Sequence, residues 1–263
     1  MSMELLVQTN EEGVATVWLN RPEVNNAFDD ALISKLTATL RDLDADTDVR
    51  IIIIRGKGKN FCAGADLRWM RRTADYSAAE NEADAFRLGE LMQCLAASRA
   101  VTLALVHGVA YGGGVGLVAC CDIAVAANDA QFCLSEVKLG LIPAVISPWV
   151  AAAIGARAAR RYVLTAERFS APIARELGLV HEVVSENELS SRAQVLSSLI
   201  LQNAPQALDE AKRLLEFVAQ RPIDADMLAE CAKRIAKRRA TTEAKEGLEA
   251  FLAKRAPNWI GKC

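Results

Sequence analysis

Two apolar runs, Ile51 to Ile54 and Val101 to Val106, each lead into a segment built largely of small residues. Neither run shows a polar face, so each reads as a strand covered on both sides, as in a parallel sheet flanked by helices. The segments that follow are Phe61-Cys62-Ala63-Gly64-Ala65-Asp66-Leu67 and Gly108-Val109-Ala110-Tyr111-Gly112-Gly113-Gly114. Small residues beyond a strand let main-chain N–H groups approach a ligand closely. Two such turns on adjacent strands can aim a pair of N–H groups at one oxygen, forming an oxyanion hole. Chemistry at a carbonyl or thioester is therefore the first expectation. A phosphate cradle or a tight turn is the plainer alternative. Three consecutive glycines lack the dinucleotide-binding spacing, and no lysine follows as in a P-loop.

Composition narrows the classes. With 263 residues, 52% of them apolar, the chain can build a sizeable core without disulfides or a structural metal. A net charge of −2 argues against a nucleic-acid-binding surface. The longest apolar stretch is interrupted by Asp122, short of a membrane span, and Met-Ser-Met-Glu-Leu-Leu at the start has no leader-like pattern. A cytoplasmic protein is expected. The seven cysteines are scattered, with no Cys-x-x-Cys pair. Cys120 and Cys121 read as small hydrophobes. Cys62 is a candidate nucleophile, but neither histidine, His107 or His181, is tied to it by a motif. No metal-ligand spacing is present, so no metal is expected.

Along the chain, Leu5 to Val7 with Val14, Thr16 and Trp18 predict an N-terminal hairpin. Asn20 to Ala27 is a loop dense in turn formers. Asp29 reads as a helix cap before the stripe Leu32, Ile33, Leu36, Leu40 and Leu43. A strand over 49–54, a helix over 78–97 and a strand over 101–106 follow, a recurrence that predicts an α/β core. From about residue 196 the period becomes helical, over 196–218, 224–237 and 241–253, with charges interleaved as on solvated faces. The predicted organisation is a core over 1–195 and a helical region over 196–263.

Taken as whole segments, the two small-residue motifs resemble the crotonase superfamily of enoyl-CoA hydratases and isomerases. The likeness continues through Cys121-Asp122-Ile123-Ala124-Val125-Ala126-Ala127, Ala130-Gln131-Phe132-Cys133-Leu134-Ser135-Glu136, Leu164 to Phe169 and Ala174 to Val180, and ends in Glu246 to Arg255. It spans nearly the whole chain in order. The resemblance implies a spiral of repeated ββα units with a C-terminal helical region that assembles trimers, often paired into hexamers. It implies an acyl-CoA thioester substrate, with coenzyme A arriving as part of that substrate and no permanently bound cofactor.

Carried over residue by residue, the two N–H donors fall at Ala65 and Gly113. The first acid/base position of classical hydratases falls on Gly116, so that carboxylate is missing; the second falls on Glu136. Burial near an apolar pocket would raise the Glu136 pKa and suit it to proton transfer. The CoA moiety is expected along Val24, Asn25 and Ala27 and along Ala63, Gly64, Asp66 and Leu67. Trp69, Gly112, Gly116 and Pro143 are further expected to contact the substrate, and Phe251 and Lys254 a neighbouring subunit's nucleotide. The polar segment Arg71 to Glu82 is expected to form a mobile cover, with Trp69 and Met70 facing inward.

The run Pro143-Ala144-Val145-Ile146-Ser147-Pro148, with the missing first glutamate, is similar to one branch. That branch holds bacterial 3-methylglutaconyl-CoA hydratases of leucine breakdown and isohexenylglutaconyl-CoA hydratases of terpene breakdown. Their second carboxylate would call for a basic or amide partner; Lys138 and Arg68 are the candidates. Ser147 reads as a helix cap ahead of a site donor. The implied activity is hydration of the α,β double bond of an acyl-CoA, with a 3-methylglutaconyl-CoA-like substrate expected first and isohexenylglutaconyl-CoA second. A Δ3,Δ2-enoyl-CoA isomerase and a catalytically retired binding protein of the same fold are the alternatives.

Overall fold

The computed structural model describes residues 4–219 and 221–260. The start read for a leader, Met1 to Met3, and the last cysteine, Cys263, lie outside the described residues. Two compact units are present, Met1–Gln194 and Val195–Cys263.

In the first unit, β1 (Leu5–Thr9) and β2 (Val14–Leu19) form the antiparallel hairpin. Helix α1 (Asp30–Ala45) follows, its start fixed by Asp29, whose side chain accepts from the Leu32 N–H at 2.8 Å. Leu32, Ile33, Leu36 and Leu40 are buried on one face of α1. Next come β3 (Ile51–Gly56), α2 (Leu67–Thr73), α3 (Ala78–Ala96), β4 (Val101–Val106), β5 (Val109–Tyr111) and α4 (Gly113–Cys120). They are followed by β6 (Ile123–Ala127), β7 (Gln131–Cys133), α5 (Ser147–Thr165), β8 (Phe169–Ser170), α6 (Ala171–Leu177) and β9 (Glu182–Val184), and by α7 (Leu189–Leu201), which begins in this unit and ends in the second. A strand pair followed by a helix recurs as β1-β2-α1, β4-β5-α4 and β6-β7-α5, which is the expected ββα repeat.

The larger sheet has six strands in the order β1-β2-β3-β4-β6-β9, parallel throughout except for the β1–β2 pair. Its central strands place Ile51, Ile52 and Ile54 beside Val101, Thr102 and Ala104, all buried, as runs without a polar face require. The smaller sheet, β5-β7-β8, lies beyond the carboxyl ends of β4 and β6 in the chain. It gathers the segments that carry chemistry.

The second unit holds α8 (Pro205–Val218), α9 (Ala225–Arg239) and α10 (Thr242–Leu252). Glu243, at the start of α10, accepts from the main-chain N–H groups of Gln206 and Ala207 at 2.9 and 3.1 Å. That carboxylate caps the amino end of α8. The helix expected over 196–218 is two helices, α7 and α8. Pro205 has no N–H to donate and its ring clashes with a preceding helical turn, so the first helix ends ahead of it.

Candidate active site

The two small-residue segments are stitched to each other. Residue Cys62 forms a parallel bridge with Ala110: its N–H donates to Val109 O at 3.0 Å, and Tyr111 N–H donates back to Cys62 O at 2.9 Å. A second parallel bridge ties the first segment to the early loop. Phe28 N–H donates to Gly64 O at 2.7 Å and Asp66 N–H donates to Phe28 O at 2.7 Å. In extended chain successive N–H groups point to opposite sides. With Gly64 and Asp66 turned toward Phe28, the Ala65 N–H faces the other way, and it has no partner among the described residues. Gly113 is the first residue of α4, where an N–H has no acceptor within the helix, and its N–H is likewise unpartnered among the described residues.

A cavity of about 410 Å³ has both Ala65 and Gly113 in its lining. Ala63, Gly64, Ala65, Leu67, Trp69, Gly112, Gly113, Glu136 and Pro143 line it, so most of the expected site residues converge. Glu136 begins a 3-10 turn after β7, and Gly112 N–H donates to Cys133 O at 2.9 Å, which binds that strand to the head of α4. A Cβ on Gly112 would stand 3.0 Å from Glu136 Oε1, and Gly112 has φ +48°. Only glycine adopts that backbone readily and leaves the carboxylate its room. Burial pushes the Glu136 pKa up, offset in part by its own main-chain N–H. Its Oε2 is buried with no partner among the described residues. A carboxylate held this way is prepared to exchange a proton with something that enters the cavity.

Several expected residues have other duties. Gly116 does not line the cavity: it is buried beneath Ile146, whose Cγ2 would be 2.4 Å from a Cβ on Gly116. Asp66 also lies off the lining. It caps α2 by accepting from Arg68 N–H at 2.7 Å and pairs with Arg21 at 3.0 Å. Val24, Asn25 and Ala27 are not cavity residues either, but Asn25 O accepts from Ala63 N–H at 3.0 Å, which seats the early loop on the first segment. Phe251 and Lys254 belong to the second unit, where Phe251 is exposed near the end of α10.

Other expectations are corrected by packing. Cys62 is fully buried and its thiol is pushed up to about 12 by burial, so the thiolate needed for attack is scarce at neutral pH. Both histidines are spent on the main chain, His107 with Gly58 O at 2.9 Å and His181 with Ala124 N–H at 3.1 Å. Ser147 is the first residue of α5 and not its cap; its hydroxyl donates to Pro143 O at 2.6 Å. Lys138 and Arg68 are exposed and off the lining, and among the described residues no Lys or Arg lines this cavity. The stretch expected to be a mobile cover runs through the end of α2, a turn and the head of α3. Ser77 and Glu80 form a capping box there, so the Glu80 carboxylate is occupied and its pKa is held down by Ser77.

Sequence reasoning missed three supports. Asn26, fully buried, accepts from Arg21 N–H and donates to Lys57 O and Asn60 O, bracing the loop against the first segment. Arg21 donates to Ala27 O at 2.7 Å and reaches Asp29 at 2.8 Å and Asp66 at 3.0 Å. The Phe28 ring lies 2.9 Å from where a Cβ on Gly113 would stand. The paired asparagines were the available signal, since asparagine tolerates the left-handed backbone both adopt, φ 55° and 56°.

Known proteins match this chain over nearly their whole length. The enoyl-CoA hydratase/isomerase family model matches residues 9–262. The crystal structure of an enoyl-CoA hydratase from Shewanella pealeana superposes with a TM-score of 0.95 at 45% identity, over 98% of this chain and 96% of that one. The crotonyl-CoA hydratase of Syntrophomonas wolfei is 33% identical over all of both chains. The 1,2-epoxyphenylacetyl-CoA isomerase of Escherichia coli is 32% identical over 99% of this chain and all of its own. A hydratase and an isomerase thus stand at nearly equal identity, and overall likeness does not choose between the reactions. By the extent of the match, in sequence and in fold, this chain belongs to the enoyl-CoA hydratase/isomerase family.

Proposed function

We propose that this protein is an enoyl-CoA hydratase that uses a single carboxylate, Glu136, for both proton transfers. The observation that carries the reading is one cavity lined by Ala65 and Gly113, whose main-chain N–H groups have no partner among the described residues, and by a glutamate whose pKa is raised by burial. The thioester oxygen would sit on the N–H groups of Ala65 and Gly113, which stabilise the negative charge of the enolate as it forms. Glu136 would take a proton from water as the oxygen adds to the β-carbon, then return that proton to the α-carbon on the same face. A raised pKa keeps the glutamate close to balance between base and acid. Coenzyme A enters as part of the substrate, and Val24, Asn25 and Ala27 with the first segment are the surfaces we assign to it.

For the acyl group we favour the isohexenylglutaconyl type over the shorter 3-methylglutaconyl type. Leu88, Leu139, Leu141, Ile142, Val145 and Ile146 give the cavity an apolar wall suited to a long branch. Incubating the pure protein with a panel of enoyl-CoAs and weighing the products tests the reaction. A gain of one water supports hydration. A shifted double bond at constant mass transfers the assignment to isomerisation, and no change with any substrate supports a retired site.

We further propose a cytoplasmic homotrimer or homohexamer, with Phe251 and Lys254 serving a neighbouring subunit's CoA site. In the second unit Leu215, Leu228, Ile235, Leu248, Phe251 and Leu252 are exposed apolar side chains of the kind that subunit contacts cover. Sedimentation of the full chain and of a chain ending before Thr241 tests this. Monomeric full-length protein ends the proposal.

A further inference from the structure

One face of α3 forms a wall of the cavity: Asn81, Asp84, Ala85 and Leu88 all line it, at the spacing of a single helical stripe. That spacing aims Asp84 at the cavity, and its side chain is only 8% exposed. Among the described residues, Asp84 and Glu136 are the two carboxylates of the lining. Glu136 is accounted for by the reaction. Asp84 is not. A carboxylate set in a largely apolar wall destabilises a fold unless it is paired. Its partner is Arg87, three residues on, whose Nη2 donates to Asp84 Oδ1 at 2.7 Å. A pair that served only the helix would not need burial. Glu90 of the same helix pairs with Arg41 at 3.3 Å with both side chains outside, 42% and 60% exposed. Such surface pairs contribute little to stability.

Arg87 itself is off the lining, but Asp84 holds its guanidinium against the cavity wall, and 45% of its side chain is exposed. A guanidinium carries five N–H donors. Asp84 takes one of them, and the others have no partner among the described residues. The result is a planar fork, fixed on one edge and open on another, within reach of whatever extends along the α3 wall. We propose that this open edge receives an anionic group carried by the acyl chain away from the thioester, so that Arg87 selects acyl-CoAs with a second carboxylate. This rests on the acyl-CoA reading above and deepens it by naming the residue that recognises the substrate's charge. Asp84 is the positioning residue. It fixes the fork, and Arg87 stands between the two carboxylates with each on its own edge, the geometry that suits a guanidinium. The aliphatic neighbours Leu88, Leu139, Leu141 and Ile142 offer no competing donor.

The test uses saturated dicarboxylic acyl-CoAs, which have no double bond to hydrate. Calorimetry on the full-length protein would compare glutaryl-, adipyl- and suberyl-CoA, each against its own terminal methyl ester, which keeps the chain and removes the charge. In the parent at least one acid should bind roughly tenfold tighter than its ester, the scale of one charge-assisted pair. In Arg87→Met that ratio should fall to one or below, because Asp84 then stands alone, while affinity for the ester stays within a few-fold of the parent. Arg87→Met leaves Asp84 without its partner, and where that variant does not fold, Asp84→Asn/Arg87→Met removes both charges and takes its place. Its ratio should be near one. A parent ratio near one at every chain length, or a ratio retained in either folded variant, overturns the proposal. Failure of the hydratase reading would appear separately, as absence of turnover with enoyl-CoAs while this binding ratio stands.

Discussion

Ile146 occupies the space that a side chain on Gly116 would need: a Cβ there would lie 2.4 Å from Cγ2 and 3.0 Å from Cβ of Ile146, with Met92 Cε at 3.2 Å. Gly116, where the family resemblance puts the first carboxylate, is therefore not a vacancy awaiting a replacement. Ile146 is buried and precedes α5 directly, so the changed segment Pro143 to Pro148 and the glycine at 116 are one packing solution.

That packing predicts strong coupling between the two positions. Gly116→Glu should destabilise the fold, because overpacking typically costs about 1–3 kcal/mol and a buried unpaired carboxylate adds to it. Adding Ile146→Gly should recover part of the loss, leaving the double variant more stable than Gly116→Glu alone. Thermal unfolding of both single variants and the double variant gives the coupling. Strictly additive effects would mean that the two residues are not in contact.

Removal of the Gly113 donor needs a matched control, since any Cβ there meets the Phe28 ring at 2.9 Å. Gly113→Ala keeps the N–H and suffers the collision; Gly113→Pro suffers it and also loses the N–H, at the first helical position, where proline is tolerated. Turnover of the proline variant should fall at least a further hundredfold or so below that of the alanine variant, the scale of one lost oxyanion donor. Equal kcat values in the two would take Gly113 out of the oxyanion hole.

Arg21 is predicted to act through Asp66. Its guanidinium spans Asp29 at 2.8 Å and Asp66 at 3.0 Å, and Asp66 follows the proposed donor Ala65 directly in the chain. Arg21→Lys keeps the charge but cannot reach both carboxylates and Ala27 O with the same planar fork. With the first segment less firmly held, kcat should drop several-fold more than KM rises. A change in Tm with kcat intact would make Arg21 a structural residue only.

The fold was legible because its strongest signals are local. Runs such as Ile51 to Ile54 cannot be solvent-facing, and Asp29 before an apolar stripe marks a helix start wherever it occurs. The two small-residue segments were legible as close backbone approaches for the same reason, while the choice of Ala65 and Gly113 within them came from the family resemblance. The supports of the site were not legible because they depend on contacts distant in sequence. Nothing near Arg21 announces Asp66, which is 45 positions away, and nothing near Gly116 announces Ile146. Ser147 was misjudged for a different, local reason. Its hydroxyl has a nearby carbonyl, Pro143 O, that outcompetes the capping role its position suggested.

The last prediction concerns Glu136 and joins activity to stability. As the base that receives water's proton, it must be ionised in the free enzyme. Burial raises its pKa, so the acidic limb of the kcat/KM profile should lie above the ordinary glutamate range. The same shift has a thermodynamic consequence. A carboxyl group with a higher pKa in the folded than in the unfolded state binds more protons when folded, so stability falls as pH rises between the two values. Glu136→Gln removes that titration. Relative to the parent, the variant should gain stability as pH is raised from below the ordinary glutamate pKa through the raised folded value, and hold a constant difference above it. Hydration by the variant should drop roughly 10²–10⁴-fold, because the amide cannot accept the proton. Glu80→Gln, which loses only a surface capping contact, should leave kcat within a few-fold of the parent. Calorimetric unfolding across pH and a pH–rate profile on the same preparations separate the two claims. If the variant's relative stability did not vary with pH, the raised pKa would be refuted. If hydration survived in Glu136→Gln, the single-carboxylate mechanism would fail even with the titration intact.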